Sequence, residues 1–423
     1  MRTRYTAALF GVSVLLAVGC SSSSEPPAPS TTLTSPTTNA GPIRGPQQPM
    51  ATPLVGSVIA PPIPVPATDG RVHLAYEVQL TNVLSQEVAL TSLAVLDRDV
   101  SLLKLAGERL ADWTRVVGSP TPTTKIGPAQ TAIVWLDVAL EKDAAVPEQL
   151  VHAVSLSLSD PKPPLFPATM TIDIAATTVQ SRKPIAISPP LSGPDWLDGD
   201  GCPPGLRPGG APSGTSAHRM ALNPIDGQLW AAERYAIDYV QLRPDGALFS
   251  GDRSKLSSYS YFGADIRAVS DGPVVAAVDG LPEQIPGASP TGLELNQYAG
   301  NHIVQDLGDG NYALYAHIKT GAVKVEVGDR LTAGQVIGAV GNTGNSDAPH
   351  LHFHVMSTPD PLRSNGLPFV FTEFRLDSKV SEPADNLNVL FEGKPAPLQP
   401  GFIARDENSV MPMELDVMTY ADR

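Results

Sequence analysis

The sequence has few basic residues and no basic cluster. It carries 29 Lys and Arg against 43 Asp and Glu, a formal net charge of -14 at pH 7. Because proteins bind nucleic acids through patches of positive charge, this composition argues against a nucleic-acid partner. The 36 Gly and 43 Pro argue against long helices. The 42% hydrophobic content and the length of 423 residues are enough for two domains with cores.

The N-terminal segment "MRTRYTAALFGVSVLLAVGC" has two arginines followed by an apolar run over residues 7–18. That run is shorter than the roughly 20 residues of a membrane-spanning helix and fits a signal peptide. Its end at Gly19-Cys20 resembles a bacterial lipoprotein signal, which implies cleavage before Cys20 and lipidation of that residue. An ordinary cleaved signal with an incidental cysteine is the second interpretation. If Cys20 is lipidated, the only other cysteine, Cys202, has no disulfide partner within the chain.

Residues 21–54 follow the predicted signal peptide of residues 1–20 and are rich in Ser, Thr and Pro. They are nearly uncharged and poor in large apolar residues, so they cannot bury a core. We expect a tether between a lipid anchor on the outer face of the cytoplasmic membrane and a folded body. The predicted location is therefore the bacterial cell envelope.

Residues 55–180 have the pattern of short β-strands. In "VHLAYEVQL" every second residue from Val72 to Leu80 is apolar, and similar runs follow, separated by Pro, Gly and Asp. Such alternation predicts half-buried strands, and many of them predict a sandwich. We expect an immunoglobulin-like β-sandwich with no catalytic residues, in which His73 and His152 are structural.

A Pro/Gly-rich linker is predicted at residues 181–216 and a second all-β domain at residues 217–380. In the second domain, "DLGDGNYAL" places Asp-Gly between two apolar runs, a strong hairpin signal. Residues 381–423 are expected to be a C-terminal tail. The predicted fold class is therefore all-β throughout.

The stretch "APHLHFHV" has three of the eight histidines at every second position. Side chains alternate along a strand, so His350 and His352 share one face while Leu351 and Phe353 face a core. Two imidazoles so placed can reach one metal ion or one water molecule. Alone, the pair is weak evidence for such a site, and a partly exposed strand whose histidines titrate with pH is the favoured interpretation.

The surrounding motifs are more specific. The run "VEVGDRLTAGQVIGAVGNTGNSDAPHLHFHV" resembles the lysostaphin-like (LytM-type) zinc endopeptidases of bacterial cell walls. The matching segments are Gly-Asp at 328–329, Gly-Gln-x-Ile-Gly at 334–338, Gly-x-Thr-Gly at 341–344 and Pro-His-Leu-His-Phe at 349–353. Upstream, "GNHIVQDLGDGNYALYAHI" matches the family's Gly-Asn strand and its Tyr-x-His motif, which contains His317. The resemblance covers about residues 217–356.

This resemblance implies an antiparallel LytM-type β-sheet core of the duplicated hybrid motif type, one Zn²⁺ and peptidoglycan as the substrate. His352 and Asp238 would be zinc ligands. His350 and His317 would be catalytic, one as general base and the other steadying the tetrahedral intermediate. His354 stands where the family often has Glu, and the resemblance implies no role for it.

One ligand of the family pattern is absent. The family's first motif is His-x-x-x-Asp with both residues on zinc, but the matching "ERYAIDYV" has Arg234 four residues before Asp238. A guanidinium has no lone pair to offer a metal. Arg234 therefore replaces the ligand in the motif, and it could form an ion pair with Asp238 that fills the space of the ion.

His218 is a candidate substitute ligand. "NPIDG" between two apolar runs predicts a hairpin that brings His218 opposite residues 231–234. With a three-residue loop it faces Ala232 and shares the side of Asp238; with a four-residue loop it faces Glu233 and points away.

Three functions follow. The first is a zinc metalloendopeptidase of peptidoglycan with His218 as the relocated ligand, and the sequence favours it because His317, His350, His352 and Asp238 are all present. The second is a catalytically degenerate LytM-type module that binds wall peptides or regulates a partner hydrolase. The third, a purely structural envelope lipoprotein, leaves the glycine and histidine motifs unexplained.

Overall fold

The structure, a computed structural model, describes residues 49–202, 206–207, 211–212, 217–381 and 384–422. The predicted signal peptide, Cys20 and most of the tether lie outside these ranges. No helix within them combines the length and the apolar character needed to cross a membrane. Strands dominate, and the two α-helices in the described ranges have five and four residues. The all-β prediction is confirmed.

The N-terminal body consists of two facing antiparallel sheets. Its elements are β1 (Leu54–Val58), β2 (Val65–Pro66), β3 (Arg71–Asn82), β4 (Val88–Asp97), β5 (Val100–Ala106), α1 (Glu108–Asp112), β6 (Thr114–Val116), β7 (Lys125–Ile126), β8 (Thr131–Glu141), β9 (Gln149–Leu158) and β10 (Thr169–Thr178). One sheet has the order β1-β3-β8-β6, the other β10-β9-β4-β5. Apolar side chains of both sheets, such as Tyr76 and Val95, share one core. The specifically immunoglobulin-like arrangement stays a prediction.

The second body contains the remaining elements. Its strands are β11 (Ile185–Ile187), β12 (Gly193–Asp198), β13 (Leu206–Arg207), β14 (Ala211–Pro212), β15 (Asn223–Ile225), β16 (Gln228–Trp230), β17 (Ile237–Gln241), β18 (Asp265–Arg267), β19 (Gly272–Val278), β20 (Asn301–Gly308), β21 (Asn311–Ile318), β22 (Arg330–Leu331), β23 (Val336–Ala339), β24 (Leu351–Met356), β25 (Gly366–Leu367), β26 (Phe369–Phe371), β27 (Phe374–Lys379), β28 (Arg405–Glu407) and β29 (Asp416–Tyr420). The helix α2 is Ala217–Met220, and 3-10 turns lie at Leu256–Ser258, Leu295–Gln297 and Ala384–Glu392.

An eleven-stranded sheet forms the centre of the second body, with the order β22-β19-β20-β21-β24-β17-β12-β29-β27-β28 and with β25 beside β24. Its pairs are antiparallel, as the LytM-type resemblance implies. Strands β21, β24 and β17 lie side by side, and they carry the histidine and aspartate motifs. The hairpin predicted from Asp-Gly is confirmed as β20-β21.

The predicted linker and tail are part of this sheet. Strand β12 belongs to residues 181–216 and lies between β17 and β29, while β28 and β29 belong to residues 381–423. The linker and tail assignments were wrong at these strands because their pairing partners are distant in sequence, and short runs among Pro, Gly and Asp read as loops. A fragment beginning near Ala217 would lose β12 from the middle of its sheet.

The two bodies also share strand β3. Its even-numbered residues, such as Leu74 and Tyr76, face the sandwich core, whereas Ala75 belongs to the core of the second body. In the other direction, Met220 and Leu222 of the second body pack against the sandwich core. Both faces of β3 are therefore buried, and the two bodies form one packed unit at this strand.

The hairpin predicted around "NPIDG" exists but does not contain His218. Strands β15 and β16 pair with Ile225 opposite Gln228, which leaves Asp226 and Gly227 as a two-residue turn. His218 precedes the hairpin and lies in helix α2. The predicted strand position of His218, and with it the choice between Ala232 and Glu233 as partners, was wrong because the chain breaks the strand pattern before β15.

Candidate functional site

The register of two neighbouring strands brings Asp238 and His352 together. In the pairing of β17 with β24, Asp238 lies directly opposite His352, and Nδ1 of His352 is 3.0 Å from Oδ1 of Asp238. On the other side, β21 places Ala316 opposite His352, so that its neighbour His317 also reaches this region. The ring centroids of His317 and His352 are 5.7 Å apart. The antiparallel sheet thus assembles residues that are more than a hundred positions apart.

His350, the residue directly before β24, belongs to the same cluster. Its Nε2 is 3.4 Å from Oδ1 of Asp238, and its ring centroid is 4.6 Å from that of His317. His317 has a φ of +59°, a left-handed conformation that is uncommon for residues other than glycine and that active sites often hold. The two residues predicted to be catalytic are therefore adjacent, and both are buried.

Helix α2 brings His218 into the cluster from outside the sheet. Nε2 of His218 is 3.4 Å from Oδ2 of Asp238, and its ring centroid is 4.8 Å from that of His352. Ligand atoms of His218, Asp238 and His352 all lie within 4.8 Å of one another. A second group with the same spacing is His317, His350 and His352. Cys202, for which the sequence indicated no role, is buried and belongs to neither group.

Three of the imidazoles are held in one tautomer by backbone carbonyls. Nδ1 of His218 lies 2.6 Å from the carbonyl oxygen of Asp200, Nδ1 of His317 lies 2.7 Å from that of Thr343, and Nδ1 of His350 lies 2.8 Å from that of Ala348. A carbonyl only accepts hydrogen bonds, so each Nδ1 must carry the proton and donate it. When such an imidazole is neutral, its Nε2 carries the free lone pair, which can bind a metal ion or accept a proton.

Charge in the cluster is dominated by Asp238. Burial alone would raise the pKa of its carboxyl, but the imidazoles of His218 and His350 outweigh burial and bring the pKa well below its usual value. Burial lowers the pKa of His218, yet Asp238 and Asp200 raise it overall to about 10. His350 also has a raised pKa because Asp238 outweighs its burial. Asp238 is therefore ionised and attracts positive charge at this point.

His317 has the opposite balance. Its pKa is well below the usual value, first because the ring is buried and then because His350 and His352 oppose a further positive charge. The ring is therefore neutral at physiological pH, with Nδ1 donating to Thr343 and Nε2 available as an acceptor.

His354 lies behind His352, on the same face of β24. Its Nδ1 is 2.9 Å from Nε2 of His352, while its own Nε2 has no hydrogen-bond partner in the described part of the chain. Burial, followed by the charges of His352 and His218, holds the pKa of His354 well below its usual range. With Asp238 ionised, Nδ1–H of His352 donates to its Oδ1. If a metal ion took the place of that proton, Nε2–H of His352 could donate to Nδ1 of a neutral His354 and so hold the ligating tautomer.

The structure contradicts the expected ion pair between Arg234 and Asp238. The guanidinium of Arg234 binds the carboxylate of Glu77 on β3 instead, with Nε 3.1 Å from Oε1 and a second bond from its terminal nitrogen to Oε2. Arg234 lies in the turn before β17 and is buried. The predicted pairing was wrong because Arg234 and Glu77 are 157 positions apart, and no local pattern links this turn to the sandwich. The space beside Asp238 is occupied by imidazoles, not by a guanidinium.

The donor set fits a zinc ion. Structural and catalytic zinc sites use imidazole nitrogen and carboxylate oxygen, and a catalytic site has three protein ligands with one open position. His218, Asp238 and His352 supply two imidazoles and one carboxylate, with Nδ1 of His352 and Nε2 of His218 both facing Asp238. The carbonyl of Asp200 behind His218 and the ring of His354 behind His352 provide the outer hydrogen bonds that such ligands require.

Sequence reasoning missed the residues around His218. Glu77 binds Arg219 of α2, and the carbonyl of Asp200 accepts a hydrogen bond from His218 of the same helix. The one available signal was Glu77 itself, because a carboxylate in the middle of an apolar strand needs a partner when it is buried.

The residues 259–364 match the model of peptidase family M23. This range contains His317, His350 and His352, but neither Asp238 nor His218. Glycyl-glycine endopeptidase ALE-1 of Staphylococcus capitis is 37% identical over 108 residues, which cover 25% of each chain. Peptidoglycan DD-endopeptidase ShyC of Vibrio cholerae is 32% identical over 94 residues, 22% of this chain and 19% of ShyC. The matches thus span about a quarter or less of these relatives.

Among solved structures, the catalytic domain of lysostaphin from Staphylococcus simulans is 26% identical. The match covers 34% of this chain and 78% of that domain, with a TM-score of 0.20. Because that TM-score is low, the assignment rests on the sequence motifs and on the family match. The second body of this chain contains a domain of peptidase family M23, as its resemblance to the lysostaphin-like enzymes predicts.

Proposed function

We propose that the protein is a zinc-dependent endopeptidase that hydrolyses peptide bonds in peptidoglycan. The observation that carries the proposal is the position of His218, whose Nε2 lies 3.4 Å from Asp238 and whose ring lies against His352. This chain lacks the first histidine of the family motif, and His218, from another part of the chain, lies beside Asp238. The endopeptidase relatives named above support peptidoglycan as the substrate.

The ligands would be His218, Asp238 and His352. To bind zinc, His218 would give up the proton that Asp238 and Asp200 favour in the metal-free chain. Two neutral imidazoles and one carboxylate would then leave a divalent ion with a net positive charge, and a zinc ion held there would activate water and polarise a carbonyl. The chain's own contribution is to keep the three donors in place through the carbonyl of Asp200 and the ring of His354.

His350 and His317 would act on the attacking water. His350 points Nε2 toward the site and lies 3.4 Å from Asp238, whose negative charge stabilises the imidazolium that forms when His350 takes a proton. His317 is neutral, and its Nε2 can accept a hydrogen bond from the same water and orient it. Their adjacent rings, 4.6 Å apart, allow both contacts at one water molecule.

We also propose that Cys20 carries a lipid and that residues 21–54 tether the folded part to the outer face of the cytoplasmic membrane. The support is the sequence of the N-terminal segment. A tether of this length would let the peptidase domain reach the wall while the protein stays in the envelope.

The rival proposal, a degenerate module that binds wall peptides or regulates a partner hydrolase, depended on Arg234 neutralising Asp238. Arg234 binds Glu77 instead, so this support is lost. Non-catalytic binding is the alternative outcome of the experiment below.

The experiment is digestion of purified peptidoglycan by the wild type, the His218→Ala variant and the His302→Ala variant. His302 is a matched control because it is a buried histidine of the same body whose Nδ1 also binds a carbonyl, that of Gly300, yet it belongs to neither potential metal group. We expect new peptide termini with the wild type and with His302→Ala, loss of activity with a chelator, and recovery with Zn²⁺. His218→Ala should be inactive. Binding of peptidoglycan without any cleavage by the wild type would support the rival.

A further inference from the structure

A buried group of three charged residues lies between the two bodies, close to the candidate metal site. Glu77 of the sandwich is fully buried, and its carboxylate binds both Arg219 and Arg234 of the second body. Both arginines are buried too, with exposed fractions of 1% and 3%. Arginine is rarely buried unless it is paired, so these contacts hold the two bodies in one specific arrangement.

The position of Glu77 on β3 explains how it reaches the second body. Tyr76 and Val78 face the sandwich core, so Glu77 between them points out of the sandwich. Ala75, on the same face as Glu77, is part of the second body's core. The carboxylate therefore enters the second body as that body packs on β3.

Arg219 has further fixed partners on the sandwich. Nη2 of Arg219 donates to the carbonyl of Tyr76 at 2.9 Å and to the carbonyl of Leu136 at 2.9 Å, and Nη1 donates to the carboxylate of Glu77. The planar guanidinium thus binds three hydrogen-bond acceptors, two on β3 and one on β8. A lysine here would offer one compact ammonium in place of the planar fork that matches these three acceptors.

Arg219 is the residue next to His218. Both lie in α2, which has only four residues. A helix this short is not stable by itself, because it forms too few backbone hydrogen bonds. On one side α2 is fixed to the sandwich through Arg219, and on the other His218 reaches Asp238. The strand pairing of the central sheet, which holds Asp238 and His352, does not include α2.

We propose that the sandwich completes the metal site, with Glu77 as a positioning residue that acts through Arg219 to place His218 against Asp238. The inference rests on the proposed function, since it concerns the same three ligands. It gives the sandwich a role in the peptidase: two ligands come from the sheet, and the third is placed by the neighbouring body. A shift of the sandwich on the second body would move His218 and so change metal affinity.

The test uses the whole purified protein and the variants Glu77→Ala, Arg219→Lys and Arg115→Met. Arg115 is the matched control, a buried arginine whose guanidinium donates, among the described residues, to carbonyls of the sandwich, those of Ala111, Asp112, Thr114 and Pro120. Zinc affinity is measured by competition with a chelator, and the absorption spectrum of bound Co²⁺ reports the coordination geometry.

We expect Glu77→Ala and Arg219→Lys to bind zinc about 10- to 100-fold more weakly, as losses of outer contacts to metal ligands do, with a changed Co²⁺ spectrum. Arg115→Met should keep the affinity and the spectrum of the wild type. Where Glu77→Ala does not fold, Arg219→Lys decides, since it retains the buried positive charge. Wild-type affinity and spectrum in a folded Arg219→Lys would overturn the positioning role and leave the proposed function intact. A wild type that binds no zinc would overturn both.

Discussion

Replacement of Arg234 by histidine separates what the sequence pattern suggests from what the structure shows. The change would restore the family motif His-x-x-x-Asp with Asp238. In the structure, however, the side chain at position 234 is directed to Glu77, and the place beside Asp238 belongs to His218. We therefore expect that Arg234→His adds no zinc ligand and removes one of two arginines from a buried carboxylate.

The expected loss of folding free energy follows from the burial of the charged side chains Glu77, Arg219 and Arg234. Removal of one partner from a buried ion pair costs about 3–5 kcal/mol. Glu77 would keep Arg219, so we expect the lower end, about 3 kcal/mol. At about 2–4 °C per kcal/mol, the value for about 150–250 residues, this corresponds to a decrease in Tm of about 6–12 °C. Thermal unfolding followed by circular dichroism measures it, with Arg234→Lys as the control that keeps the charge and loses only the two-pronged geometry.

The double variant Arg234→His with His218→Ala gives the decisive comparison. If position 234 could reach the metal, this variant would bind one zinc per chain and retain activity. We expect neither. Stoichiometric zinc in the double variant, or a more active and equally stable Arg234→His single variant, would refute the placement of both side chains.

Three further changes have expected outcomes of their own. Cys20→Ser should leave the precursor unprocessed or released in cell fractionation; a processed, membrane-bound variant would contradict lipidation. His354→Leu should weaken zinc binding about 10- to 100-fold, because Nε2–H of His352 loses its acceptor, whereas an unchanged chelator competition would show that His354 does not orient His352. Burial lowers the pKa of His73, but Asp137 and Asp69 raise it to about 10, so its stabilisation is complete below pH 6.5 and is lost as pH rises toward 10. The Tm difference between the wild type and Asp137→Asn should shrink over that window, and a constant difference would contradict the linkage.

Much of the site could be predicted from the sequence because its motifs are local. The alternation of "PHLHFHV" places His350 and His352 on one face, and the Tyr-x-His motif identifies His317. The structure brings these three residues and Asp238 together, since β21, β24 and β17 are neighbours in the sheet. Strand pairing of this kind depends on patterns within each strand, which a sequence shows directly.

The third candidate ligand could not be placed in the same way. Alternation of apolar residues suggested a strand for His218, but α2 is fixed by Arg219 on the carbonyls of Tyr76 and Leu136. Those contacts join residues more than eighty positions apart and leave no local pattern. The same holds for β12, whose strand partners β17 and β29 decide its structure while its own sequence, rich in Gly and Asp, indicates a loop.

The zinc content of the purified protein tests the central claim most directly. The wild type, the His218→Ala variant and the His302→Ala control are dialysed against a weak chelator, and bound metal is measured by atomic emission against protein concentration. The account predicts about one zinc per chain in the wild type and in His302→Ala, and none in His218→Ala, with all three proteins folded by circular dichroism. A metal-free wild type, or zinc that stays bound after His218→Ala, would contradict it.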